Sequence, residues 1–142
     1  MQFVDDGYII NTRRYGESSL ILTLVSRNHG KLLGFIKGGM TKKNLGIYQL
    51  GNQIRFEAYS RIEENMFSFS KIELVSPVSV NFLNHSKKLS ALSALCSILV
   101  ECLAEKETID RFYYYIDSFF QLVNDDNWLT HYCYLEFYLL DF

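Results

Sequence analysis

Eight lysines and arginines fall within the first 55 residues: Arg13, Arg14, Arg27, Lys31, Lys37, Lys42, Lys43 and Arg55. Only Asp5, Asp6 and Glu17 oppose them, a balance of +5. Cations in such excess neutralise phosphates and release the counterions condensed on a nucleic-acid backbone, so the chemistry they suggest is binding rather than bond-making. Aromatic residues are interleaved with them at Tyr15, Phe35, Tyr48 and Tyr59. Flat rings that reach solvent stack on bases, and Tyr15 and Phe35 are the stacking candidates, Phe35 sharing a strand face with Lys31 and Lys37. The plainer alternatives are solubilising charge for the cations and core packing for the rings.

Nothing else in the chain resembles a reactive centre. His29, His85 and His131 are scattered, and none stands at metal-ligand spacing with a cysteine or carboxylate. Glu63-Glu64 and Asp125-Asp126 are adjacent pairs in turn-like stretches and read as solvated charge. Gly38-Gly39 followed by Thr41-Lys42-Lys43 lacks the G-x-x-x-x-G-K-[ST] spacing of a phosphate-cradling loop. Cys96, Cys102 and Cys133 match no paired zinc signature and read as small buried thiols. The expectation is a binding protein, not an enzyme, with no cofactor and no metal.

The formal charge of −2 hides an asymmetry. Residues 1–80 carry ten basic against seven acidic side chains, and residues 81–142 carry four against nine. A basic first part is thus followed by an acidic second part. A hydrophobic share of 49% with 21% charged residues fits a folded globular chain. With no signal-peptide pattern, an odd cysteine count and no apolar run of about 18 residues, the expected location is cytoplasmic, associated with the nucleoid.

The elements that must position the cations follow from periodicity. Gly7 to Tyr15 alternates as a strand, with Tyr8, Ile10 and Thr12 on one face and Ile9, Asn11 and Arg13 on the other. After a Gly16-Glu17 turn, Ser18 to Ser26 places Leu20, Leu22 and Leu24 in strict period two. Asn28-His29-Gly30 turns the chain into a third strand, Lys31 to Gly38, where Gly34 suits a bulge or sharp bend. A glycine-punctuated loop over 38–51 precedes strands at Gln53–Ser60 and Met66–Val75. Three strands, an irregular crossing and two more strands is the order of an OB-fold barrel.

Ser76-Pro77, holding the only proline, marks a boundary between a barrel over residues 1–77 and an α-helical domain over 78–142, an α+β chain. Asn84 or Ser86 caps a first helix with Leu89, Leu92, Cys96, Leu99 and Leu103 on one face and Ser90, Ser93, Ser97 and Glu101 opposite. Thr108 caps a second, with a stripe of Ile109, Phe112, Ile116, Phe119/Phe120 and Val123. A third, capped by the Asp125-Asp126-Asn127 stretch, starts at Trp128 and is apolar on every side, as only a helix covered all round should be. Two preceding helices cannot cover it, so the expectation is an incomplete helical domain, from a fragment or a naturally short form.

The runs Asp6-Gly7-Tyr8-Ile9-Ile10, Arg14-Tyr15-Gly16-Glu17-Ser18-Ser19-Leu20, Leu24 through Lys31, and Gly34-Phe35-Ile36-Lys37-Gly38 together resemble the start of the RecO family of bacterial recombination mediators. The shared motifs are a YGE-S turn, an R-x-H-G-basic turn and a G-x-x-basic-G third strand, covering residues 6–38. Gln49-Leu50-Gly51 is similar to the family's segment before its fourth strand, and Tyr134 to Leu140 fits its helical domain. The loop Gly39-Met40-Thr41-Lys42-Lys43 is less arginine-rich than the family's, and the family continues further, often with a zinc-binding cysteine cluster.

The resemblance implies an OB barrel that binds single- and double-stranded DNA, anneals complementary strands and works in recombinational DNA repair. Its implied partners are RecR, single-strand-binding protein and, indirectly, the RecA recombinase. Two other functions fit the residues: a protein-interaction module that docks a repair partner, and an RNA-binding OB-fold factor.

Overall fold

Leu20, Leu22 and Leu24 alternate with Ile21, Thr23 and Val25, and this period of two makes β2 (Ser19–Ser26) the centre of a meander with β1 (Gln2–Tyr15) and β3 (Gly30–Ile36). The computed structural model describes residues 2–38, 46–60, 66–82, 85–103, 110–121 and 126–140, without the side chains of 110–112 and 138–140. Gly16 and Gly30 take positive φ in the two connecting turns, at +67° and +70°, where a side chain would be strained. β4 (Gln53–Tyr59) runs antiparallel to the first half of β1, and β5 (Phe67–Ser76) runs antiparallel to β4. β5 then meets β3 in parallel at Gly34 and Phe35, closing a barrel in the order β1-β2-β3-β5-β4. This is the expected five-stranded OB barrel, with β1 beginning earlier than its alternation suggests because Gln2 to Asp6 pair with Tyr59 to Arg55.

Closure depends on Gly34. A Cβ built there would lie 2.0 Å from Cε2 of Phe69, so the Phe69 ring occupies the space that any side chain at 34 would need. The glycine permits close approach of a ring rather than a bulge. The barrel interior is filled by Leu20, Leu22, Leu24, Leu32, Ile54 and Phe56 among others, with Phe69 set edge-on to Phe56 at 5.0 Å.

A register shift between Ile9 and Asn11 corrects the face assignment read from β1. Ile10 is the extra residue of a β-bulge. Tyr8 and Ile10 pack on the outside of the barrel, Ile9 packs inside it, and beyond the bulge Asn11 lies opposite Thr23, Thr12 opposite Leu22, and Arg13 opposite Ile21. Simple alternation cannot foresee this, because one inserted residue inverts every face after it.

A 3-10 turn (Val78–Asn81) leads to α1 (Ser86–Cys102), α2 (Asp110–Gln121) and α3 (Trp128–Leu140). The cap of α1 is His85, whose Nδ1 accepts from the Lys88 N–H at 3.1 Å; Asn84 lies outside the described residues and Ser86 is already helical. Leu92, Leu95, Cys96, Leu99 and Leu103 face inward, whereas Leu89, expected among them, is exposed. Among the described side chains of α2, Tyr113, Ile116, Phe119 and Phe120 are buried; the Phe112 side chain and residues Thr108, Ile109, Val123 and Asp125 lie outside what the structure describes. These side chains form one apolar core with Tyr8, Ile10 and Val25 from the outer barrel wall, and Tyr8 stacks on Phe120 at 4.5 Å. Each such fully buried side chain contributes about 1.5–3 kcal/mol of transfer free energy. Of α3, Leu135 is buried while Leu129, Tyr134 and Phe137 are exposed. Cys102 and Cys133 are also exposed, against the expectation of three buried thiols; only Cys96 is buried, and burial pushes its thiol up to about 12.

Candidate nucleic-acid interface

The paired register sets Arg14, Leu20 and Ile36 side by side across β1, β2 and β3, and Arg13, Ile21 and Phe35 in the next row. Adjacent strands stand about 4.8 Å apart, so Arg13, Arg14, Tyr15, Phe35 and Lys37 gather at one end of the barrel. Arg13, Arg14 and Lys37 are exposed, and none of them forms an ion pair among the described residues. Tyr15 is 57% exposed and stands edge-on to the half-buried Phe35, centroids 5.3 Å apart at 87°. One ring is thereby propped against another at the barrel end that carries Arg13, Arg14 and Lys37, none of them ion-paired among the described residues. Such a surface can hold a phosphodiester chain and stack a base.

The other predicted cations are placed elsewhere. Lys31 is buried between barrel and α1, where its Nζ donates to the Val100 carbonyl oxygen at 2.8 Å. It therefore does not belong to the exposed rim: register puts it on the outer face that the helices cover. Arg55 is exposed on β4, but its Nε donates to Asp6 Oδ1 at 3.0 Å, which pushes the guanidinium pKa up and partly cancels its charge. Arg27 lies at the opposite end of β2 from Arg14 and sits 5.3 Å over the Tyr113 ring of α2. Lys42 and Lys43 lie outside the described residues. Tyr48 is buried in the barrel core, and Tyr59 is exposed on β4.

Two features have no local signature in the sequence. The Asp5 carboxylate, nearly fully buried, accepts from Asp6 N–H at 2.8 Å, Asn28 N–H at 2.9 Å, Asn28 Nδ2–H at 3.1 Å and His29 Nδ1–H at 2.9 Å. The His29 ring in turn stacks on Phe3 at 3.7 Å. This cluster locks the turn between β2 and β3, whose R-x-H-G-basic pattern carried part of the resemblance; the signal was a histidine in a tight turn, but its carboxylate partner is 24 residues away. The second is the Tyr8 hydroxyl, which donates to Asp117 and accepts from Gln121 Nε2 at 3.0 Å, tying β1 to α2. Among the described residues no cluster of three or more potential metal ligands occurs, and no helix is long and apolar enough to cross a membrane.

Comparison with known proteins bears on the same residues. Residues 1–78 match the family model described as Recombination protein O N terminal. The chain is 33% identical over 144 aligned residues to the DNA repair protein RecO of Wolbachia sp. subsp. Drosophila simulans (strain wRi), an alignment covering 99% of this chain and 58% of that protein. It is 32% identical to the protein of the same name from Wolbachia pipientis wMel, over 99% and 58% of the two chains. To that of Rickettsia rickettsii (strain Iowa) it is 29% identical, over 96% and 55%. The chain thus spans a little over half the length of the curated relatives it matches. The barrel, its turn motifs and the family match over more than half of its residues agree: the chain belongs to the RecO family.

Proposed function

We propose that this chain binds single-stranded DNA on the β1–β2–β3 end of its barrel and serves in DNA repair by recombination. The observation that carries the reading is the gathering of Arg13, Arg14 and Lys37, exposed and without ion pairs among the described residues, around the edge-on Tyr15–Phe35 pair. The cations hold phosphates without reading sequence, and the aromatic pair offers a platform that any base can use. The relatives' shared name, DNA repair protein RecO, supports the repair role. In that role the barrel helps complementary strands anneal and, with RecR and single-strand-binding protein, helps place RecA on exposed single strands. No step breaks or forms a covalent bond, and none calls for a cofactor.

Fluorescence anisotropy with a labelled single strand tests this directly. Affinity should fall linearly in log–log form with salt, with a slope of about −0.7 for each phosphate neutralised. Absence of single-strand binding at low salt would overturn it.

A further inference from the structure

Between the outer wall of the barrel and α1 lies a groove of about 400 Å3, lined by Ile10, Asn11, Leu50, Ser93, Ser97 and Glu101 together with Cys96 and Val100. Pockets for small ligands run from about 300 to 1,000 Å3 and combine an apolar lining with a few convergent polar groups. Here Ile10 and Leu50 supply the apolar walls. Asn11, Ser93, Ser97 and Glu101 bring an amide, two hydroxyls and a carboxylate to the same groove, all four residues being exposed. The bulge in β1 brings Asn11 to this side, opposite Thr23, instead of leaving it inside the barrel. Two residues further on the same face stands Arg13, roughly 7 Å along the strand. The groove therefore continues the cationic face and changes its chemistry from basic to acceptor-rich.

We infer that this groove receives an unstacked base of the bound single strand and favours a base bearing an exocyclic amino group, cytosine or adenine, over thymine. This rests on the reading that the barrel end carrying Arg13, Arg14 and Lys37 holds a single strand. A carboxylate beside that face repels phosphate, so the backbone stays on the arginines and a base edge turns inward. Glu101 is acceptor-only when ionised and pairs with N4–H2 of cytosine or N6–H2 of adenine, while the O4 of thymine meets it acceptor to acceptor. The Asn11 amide donates to the adjacent ring nitrogen or carbonyl of the same edge. A base in a single strand costs little to unstack, so a few such contacts suffice to bias the choice.

The test compares labelled oligo(dC) and oligo(dT) of about 16 nucleotides by anisotropy at neutral pH and one fixed salt concentration. Oligo(dC) is expected to bind roughly fivefold tighter. Glu101→Gln and, separately, Asn11→Ala should bring the two to parity while leaving the salt slope for both oligomers unchanged. Equal binding of both oligomers by the unaltered protein, with steep salt dependence, would overturn the base groove and leave the phosphate face standing. An equal fall in affinity for both oligomers in the variants would also overturn it, since the residues would then act on the backbone. Failure to bind either oligomer at low salt would remove the phosphate face and the groove with it.

Discussion

The Lys31 ammonium donates to the main-chain carbonyl of Val100 at 2.8 Å, joining the third strand of the barrel to the last turn of α1. The final four carbonyls of a helix lack intrahelical partners and carry the negative end of its dipole. The Leu103 N–H satisfies Leu99, and Lys31 satisfies Val100. A side chain whose type suggests phosphate binding thus serves as a helix cap from across the fold.

Replacing Lys31 by Met keeps the stem and removes the donor. The expected cost is about 1–2 kcal/mol of stability, read from urea midpoints. The salt slope of single-strand binding should not change. A slope smaller by one neutralised phosphate would place Lys31 back on the nucleic-acid face.

Arg13→Glu with Arg14→Glu should weaken binding to all single strands alike and reduce the salt slope by about 0.7 for each phosphate no longer neutralised. Arg55→Ala, which removes a side chain already paired with Asp6, should change affinity by less than about threefold. Titration of the variants by anisotropy over a range of salt concentrations distinguishes the two cases.

Tyr15→Ala should lower affinity by about 1–3 kcal/mol per stacked base while barely moving the melting temperature, because the ring is 57% exposed. A large fall in melting temperature with unchanged affinity would make Tyr15 a packing residue.

Gly34→Ala puts a methyl group within the Phe69 ring and should destabilise the barrel by about 1–3 kcal/mol or more. Adding Phe69→Leu should recover part of that stability, since it frees the space the methyl needs. Thermal unfolding of the single and double variants gives the coupling.

Burial pushes the Tyr113 hydroxyl up to about 12 from its ordinary 10.0, just as it raises the Cys96 thiol to about 12 from 9.0. Both groups are neutral below these values, so the fold favours the protonated form. The stability they contribute is fully present below the unfolded values and is lost as pH rises from about 9 through about 12, where the unfolded chain binds fewer protons. Urea midpoints should hold steady up to about pH 9 and then decline. Tyr113→Phe, which also gives up the Gln53 hydrogen bond, should flatten that decline.

Much of the barrel was legible in the sequence because its signals are local. Leu20-Leu22-Leu24 sets one strand's faces, Gly16 and Gly30 permit turns that other residues resist, and the turn motifs around them pointed to the RecO family. That several cations fall at strand ends, on the rim of a barrel, was legible too, since residues near strand ends on adjacent strands must meet at a barrel end. Only tertiary structure decided which cations stay there. Lys31 and Val100 are 69 residues apart, and Arg55 and Asp6 are 49 apart. Whether a lysine meets solvent or a helix carbonyl depends on which element packs over its strand, and local periodicity carries no trace of that. The same holds for Gly34, whose need for a bare Cα comes from Phe69 across the closure, and for the β1 bulge that brings Asn11 to the groove. Sequence determined the strands and their chemistry; long-range packing determined which of those side chains stay exposed and which are buried or paired.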